Sequence, residues 1–316
     1  MQRQCWRKVD RAMLKFILRR LVLAMLTLWV ASVVVFFSAR ITGSPEHAMM
    51  PPDAYPEDRE AFRRAYGLDK PLIEQYFRWL SRALQGDLGK GIQYKVPVTG
   101  LIWQRLIRSL ELTSVAILMA IILAIPLGVL AATKRGQVWD HIATAIGVSG
   151  QALPSFWLGM MLVLLFAVIL GVLPESGAGT WKHYIMPGFT IGYFVTAGAM
   201  RLVRSSMPDV LDSEFVKLAR AKGMPEYVVI WKHALKNALI PVVTFIGYMF
   251  GVMIAASIVV ETVFNWPGIG RLVFEALLLR DFPVVQGVVL VWSSIIVLLN
   301  LLVDILYVIL DPRIRT

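Results

Sequence analysis

The stretch Glu214 to Pro241, EFVKLARAKGMPEYVVIWKHALKNALIP, joins a basic helix, a glycine stop and a second helix that runs into an apolar segment. Glu214 to Lys222 is rich in helix formers, and Gly223 stands where a left-handed C-terminal cap belongs. Pro225 suits the first position of a new helix, where its missing N–H costs nothing, and Glu226 brings negative charge to that helix's positive end. On the first helix Phe215, Leu218 and Ala219 lie close together at helical spacing, with charge from Glu214, Lys217 and Arg220 around them. That helix can meet membrane or protein with one face.

Outward from the hinge the composition is that of a polytopic membrane protein: 316 residues, 57% hydrophobic and 17% charged, with a mean hydropathy of +0.66. Six runs free of Asp, Glu, Lys and Arg approach or exceed the roughly 20 residues a membrane helix needs. They are Leu21 to Ala39, Leu112 to Thr133, Ile142 to Pro174, Tyr184 to Met200, Ala238 to Val260 and Phe282 to Val303. Gly150 and Pro154 place a kink or a helix start within the third run, and the fourth extends past Arg201. The first run follows Arg19 and Arg20 as a signal peptide would, but it is long for one and Ser38 to Ile41 is a poor cleavage site. The expected fold is an all-α polytopic membrane protein with six transmembrane helices.

The formal charge of +11 falls in clusters between those runs, which marks cytoplasmic loops and not a nucleic-acid footprint. Arg3, Arg7, Lys8, Arg11, Lys15, Arg19 and Arg20 crowd the N-terminus, and Lys134 with Arg135 follow the second run. Six crossings then put both termini in the cytoplasm, with Arg313 and Arg315, and likewise the hinge with Lys217, Arg220, Lys222, Lys232 and Lys236. Arg40 to Arg108 falls outside as an insert, with a loop around Pro51, Pro52 and Pro56 and short helices at Glu57 to Tyr66 and Leu72 to Leu84. A single cysteine, Cys5, excludes an internal disulfide and a cysteine metal cluster.

No machinery for chemistry is visible. GDLGKG, Gly86 to Gly91, lacks the spacing and the Ser or Thr of a phosphate loop and reads as a turn. Neither a His-Glu-x-x-His helix nor a Gly-x-Ser-x-Gly elbow occurs, so no catalytic residue, metal site or cofactor is expected in this chain. Asp304, one turn after Asn300, fits pairing with an arginine or head-group exposure as well as an ion path. Thr144, Ser149 and Gln151 are polar candidates near the third run, where Ser and Thr more often serve helix packing, and Trp29, Trp103, Trp157, Trp181 and Trp292 fit interface anchoring or packing better than a substrate cage. Between the last two runs, Glu261 to Gln286, NWPGIG ends one helix and a short amphipathic helix with Arg271 and Glu275 follows.

Longer motifs recur in order along nearly the whole chain: MLKFILRRL from Met13, GLDKPLIEQYFRWL from Gly67, GDLG from Gly86, LARAKGMP from Leu218, HALKNALIPVVT from His233, ETVFNWPGIGRL from Glu261, RDFPVVQG from Arg280 and NLLVDILYVILDPRIR from Asn300. In these the chain resembles the membrane permeases of ATP-binding-cassette (ABC) importers in the dipeptide/oligopeptide/nickel branch, called DppB or OppB. Met1 to Ala12 precede the resemblance, as an extension or an upstream start.

The resemblance implies a type I, MetI-like permease core in a bacterial or archaeal inner membrane. It implies a cytoplasmic N-terminus and first helix over 1–39, an extracytoplasmic insert over 40–107, and a five-helix core over 108–310 with a coupling segment at 205–237. A cytoplasmic C-terminus follows at 311–316. The implied partners are a second permease subunit of the DppC or OppC kind, two ATPase subunits carrying ATP and Mg, an extracytoplasmic substrate-binding protein, and membrane lipid. The hinge resembles the coupling segment Glu-Ala-Ala, three residues, Gly, whose helix docks on the ATPase. Lys217, Leu218 and Ala219 take the leading places, Gly223 the last, and Glu214, Arg220 and Pro225 flank them. The glutamate and first alanine are missing, so no salt bridge from that glutamate carries over. Trp266, Pro267, Gly268, Arg271 and Arg280 fall in the region that the resemblance makes an outer gate facing the binding protein, and that the residues alone also allow as a structured surface loop. The implied substrates are di- or oligopeptides moved inward by alternating access, with nickel chelates, glutathione and opines as alternatives. A stand-alone ion-coupled carrier or channel is the contrasting reading, and it calls for intramembrane charges on facing helices.

Overall fold

Within hydrocarbon a backbone has no water to bond to, so long apolar runs satisfy themselves as helices. In a computed structural model, which describes residues 2–41, 55–65 and 68–310 and the side chains of these except 2–16, 62, 65 and 302–310, the described residues form helices and one isolated bridge, Lys90 to Pro97. Pro51, Pro52, Tyr66, Arg313, Arg315 and the Cys5 and Asp304 side chains lie outside what is described.

The helices are α1 (Gln2–Ile41), α2 (Pro56–Ala65), α3 (Leu72–Leu84), α4 (Val98–Thr133), α5 (Val138–Ala152), α6 (Ser155–Leu162) with a π continuation (Val163–Ile169), and α7 (Ile185–Leu211). After α7 come α8 (Glu214–Ala221), α9 (Glu226–Val228), a π turn (Val229–Ala234), α10 (Leu235–Ala238), α11 (Ile240–Val263), α12 (Ile269–Leu278) and α13 (Phe282–Leu310). Among the described residues four spans can cross a membrane by length and composition, Ile17–Ile41, Val98–Thr133, Ile240–Val263 and Phe282–Leu301. There are five if α5 and the α6 segment, bent by 111° at their break, form one. The break falls at Leu153 and Pro154, where a kink or a helix start is expected, and a new helix starts at Ser155 with Pro154 as its cap. Six spans are not reached: α7, which holds the fourth run, has its apolar content diluted by glycines, threonines and Arg201.

The chain divides into two compact units, Met1–Leu106 with Leu272–Thr316, and Ile107–Arg271. In the first, α1 packs along α13. Gly86 and Gly89 take φ of +83°, giving the turn that GDLGKG predicts. Buried Asp281 at the start of α13 accepts the backbone N–H groups of Ile92 (3.0 Å) and Gln93 (2.8 Å), which ties the following loop down.

In the second unit α7 packs against α5 and α11. Small residues let these backbones approach, which replaces the missing hydrophobic drive between helices in lipid. A Cβ on Gly192 would stand 2.6 Å from the Ala116 carbonyl oxygen, and one on Gly150 2.5 Å from Ala197 Cβ. Ser149 and Gln151 of the third run tie helices together, whereas Thr144 bonds back within α5. Ser149 Oγ lies 2.7 Å from the Tyr193 hydroxyl, Arg201 donates to Gln151 (3.0 Å), and Thr144 donates to the Asp140 carbonyl (2.8 Å). Trp292 is buried, whereas Trp29, Trp103, Trp157 and Trp181 are exposed.

Candidate coupling site

The hinge is built by local backbone chemistry. Gly223 sits at φ +75°, its N–H bonds to Arg220 O (2.9 Å), and the Met224 N–H reaches back to Ala219 O (3.3 Å). This is the Schellman pattern, in which a left-handed residue closes the last helical carbonyls. Pro225 takes the extended cap position (φ −63°, ψ 141°) and not the first helical place, so the new helix begins at Glu226. Across the turn Arg220 holds Glu226 with two bonds, 2.7 and 3.2 Å, and on α8 Lys217 pairs with Glu214 at 2.9 Å.

Of the three apolar residues grouped on α8, Ala219 turns inward and is parted from Phe215 and Leu218. Val216 and Ala219 are the buried residues, while Phe215 (46% exposed) and Leu218 (57%) point away. The inner pair joins a core with Val229, Leu235, Val203 and Met207, and with Val129 and Ala132 from the end of α4. On the outer side Met224 and Tyr227 are exposed as well. The segment therefore has one face locked into the helices and another, apolar face left bare.

The bridge between Arg220 and Glu226 is exposed, and the hydrogen bond from Arg220 holds the Glu226 carboxyl below the usual carboxylate range. A depressed carboxylate contributes above its unfolded pKa and loses that contribution as pH falls through the folded value. Arg220→Ala is expected to cost at most about 1 kcal/mol, and to speed hydrogen exchange at the Met224 amide at neutral pH but not in acid. The swap Arg220→Glu with Glu226→Arg is expected to restore slow exchange; a swap no slower than Arg220→Ala would exclude the bridge as the cause.

At the far end of α11 lies a second polar cluster. Glu261 is fully buried. Its Oε1 accepts from Ser109 Oγ (2.5 Å) and Ser257 Oγ (2.9 Å), and its Oε2 from the Arg271 N–H (2.9 Å). Ser109 Oγ in turn accepts the N–H of Ile269 (2.8 Å). The carboxylate thus caps the N-terminus of α12, whose free N–H groups attract negative charge. Trp266 is also buried, donating its indole N–H to Arg108 O (3.1 Å), with its ring edge-on to Tyr184 at 4.7 Å. The Arg271 guanidinium reaches Asn265 O (2.8 Å). Trp266 and Gly268 are therefore buried supports of this loop and not its front; Pro267 is half-buried, and Arg280, at φ +55°, is exposed. Reading spans as uncharged runs stops the fifth at Val260 and passes over Glu261. An acid one residue beyond an apolar run, followed by glycines, is the signal for it.

Comparison with known proteins gives this geometry a family. Residues 124–316 match the model described as binding-protein-dependent transport system inner membrane component, and residues 13–124 match the N-terminal model of the same system. The glutathione transport system permease protein GsiC of Escherichia coli K12 is 42% identical over 304 residues, covering 96% of this chain and 99% of that protein. The protein of the same name from Shigella boydii is 41% identical over the same shares. Among solved structures, the crystal structure of an amino acid ABC transporter with histidines superposes with a TM-score of 0.51 at 15% identity, over 65% of this chain and 92% of that one. That likeness is one of fold. The chain belongs to the binding-protein-dependent transport system inner membrane components, and it is a permease component of an ABC importer.

Proposed function

We propose that this permease moves a short peptide inward, and that α8 takes the push of a partner ATPase and passes it to the membrane helices. The observation that carries this is the two-sidedness of α8. Its bare outer face, Phe215 and Leu218, suits a groove on another protein, and its inner face shares one core with α4, α7 and α10. Close-packed interiors transmit displacement, so a shift of α8 moves those helices with it. ATP and Mg would sit on the partner ATPases, a binding protein would deliver substrate from outside, and a second permease subunit would complete the path.

The substrate class rests on the relatives. GsiC is a glutathione permease by name, and glutathione is a tripeptide, so the peptide and glutathione expectations meet in one chemical class. The stand-alone carrier reading gains no support from Glu261, because both its oxygens are occupied by hydroxyl and backbone donors.

Copurification of the importer tests the coupling role. Phe215→Asp with Leu218→Asp is expected to lower recovery of the ATPase with the permease by about tenfold, since exposed anchors of this kind carry about 1–2 kcal/mol or more each at protein interfaces. The permease level in the membrane should stay unchanged. Undiminished recovery would remove α8 from the docking role. Calorimetry of the partner binding protein with glutathione, dipeptides and a nickel chelate decides the substrate class.

A further inference from the structure

The helix α3, LIEQYFRWLSRAL, carries its apolar residues on one broad arc: Leu72, Ile73, Tyr76, Phe77, Leu80 and Leu84 fall together at 100° per residue, with Glu74, Arg78, Ser81 and Arg82 opposite. Only part of that arc is covered. Tyr76 is buried against α1, its hydroxyl 2.8 Å from Ser32 Oγ and its ring 5.5 Å from Phe36. Ile73 (66% exposed), Phe77 (61%) and Leu84 (81%) are bare.

The anchor point sets the depth. Ser32 belongs to the membrane span Ile17–Ile41, and from residue 32 to residue 41 a helix rises about 14 Å at 1.5 Å per residue. The 25-residue span rises about 37 Å, about 7 Å more than a hydrocarbon core of roughly 30 Å, so Ser32 stands about 10 Å inside the core boundary, within reach of a helix lying at that boundary. A helix tied there by Tyr76 cannot stand free in water above the membrane. Phe37 of the same span also faces Tyr76, with ring centroids 6.2 Å apart, so the helix is held to the span by more than one residue. On the opposite arc Lys70, Glu74 and Arg78 form ion pairs of 3.2 and 2.8 Å, which suits the head-group level.

We infer that α3 lies in the head-group boundary of the leaflet on the insert's side, with Ile73, Phe77 and Leu84 against lipid acyl chains. The insert is then partly a lipid-borne element. Which leaflet this is rests on the proposed orientation of the chain; the contact with lipid does not.

Spin labels on the full chain in phospholipid nanodiscs test it. In a Cys5→Ser background, single labels at Ile73→Cys and Phe77→Cys should relax strongly with oxygen and weakly with a water-soluble nickel chelate, and labels at Arg78→Cys and Arg82→Cys the reverse. The oxygen-to-nickel ratio is expected to differ by about fivefold or more between the two arcs, as the apolar and aqueous sides of an interfacial helix require. Equal ratios on both arcs would overturn the inference. So would protection of Ile73 and Phe77 from both reagents, or their immobilisation on adding the binding protein or second permease, because a protein would then cover the face. Four separate exposed positions keep the comparison available if one variant fails to insert.

Discussion

Gly223→Val is expected to leave the permease in the membrane while cutting substrate-stimulated ATP hydrolysis and uptake by about tenfold or more. The cause is backbone and not space, since a Cβ at Gly223 would meet nothing within 4 Å. The residue holds φ +75°, a region that costs ordinary residues about 1–2 kcal/mol and β-branched ones more. A strain of about 1.4 kcal/mol shifts a two-state balance tenfold. The Schellman bonds from Gly223 and Met224 would loosen, and α8 would no longer be fixed to the turn that leads into α9. Asparagine tolerates the left-handed region, so Gly223→Asn is expected to keep most of the coupling. Normal stimulated hydrolysis and uptake in the valine variant would exclude the hinge as a transmitting element.

The second large effect is expected at the Glu261 cluster. Glu261→Ala would leave the Ser109 hydroxyl and the Arg271 N–H without their acceptor in a buried site, while Ser257 keeps the Ile254 carbonyl, and such orphaned groups cost about 1–3 kcal/mol each. Gly268→Ala would drive its Cβ onto the Glu261 carboxyl. Both changes are expected to lower the melting temperature of the purified permease by roughly 5–10 °C, with Glu261→Gln between them and the parent. Melting of Gly268→Ala at the parent temperature would mean that the carboxyl does not pack where the cap requires.

What was legible in the sequence was local. The glycine stop, the helix that follows it, the turn at Gly86 to Gly91 and the break at Pro154 depend on residues that set their own backbone angles, and they appear where those residues stand. The inner face of α8 was not legible. Phe215, Leu218 and Ala219 satisfy helical spacing as well as Val216 and Ala219 do, and only the ends of α4 and α7 decide which face is buried. The cap on α12 was equally hidden, because Ser109 and Glu261 are separated by 152 positions and nothing local pairs them. For α7, glycines, threonines and a mid-helix arginine blur the span signal, since much of that helix faces protein and not lipid.

The central claim is that α8 meets an ATPase with its bare face. Cross-linking tests it most directly: in a Cys5→Ser background, single cysteines at Phe215, Val216, Leu218 and Ala219 are offered a short bifunctional reagent in the assembled importer, with and without ATP. Cross-links to the ATPase from Phe215→Cys and Leu218→Cys, and none from Val216→Cys and Ala219→Cys, are the predicted result. Cross-links from all four, or from none, would contradict it.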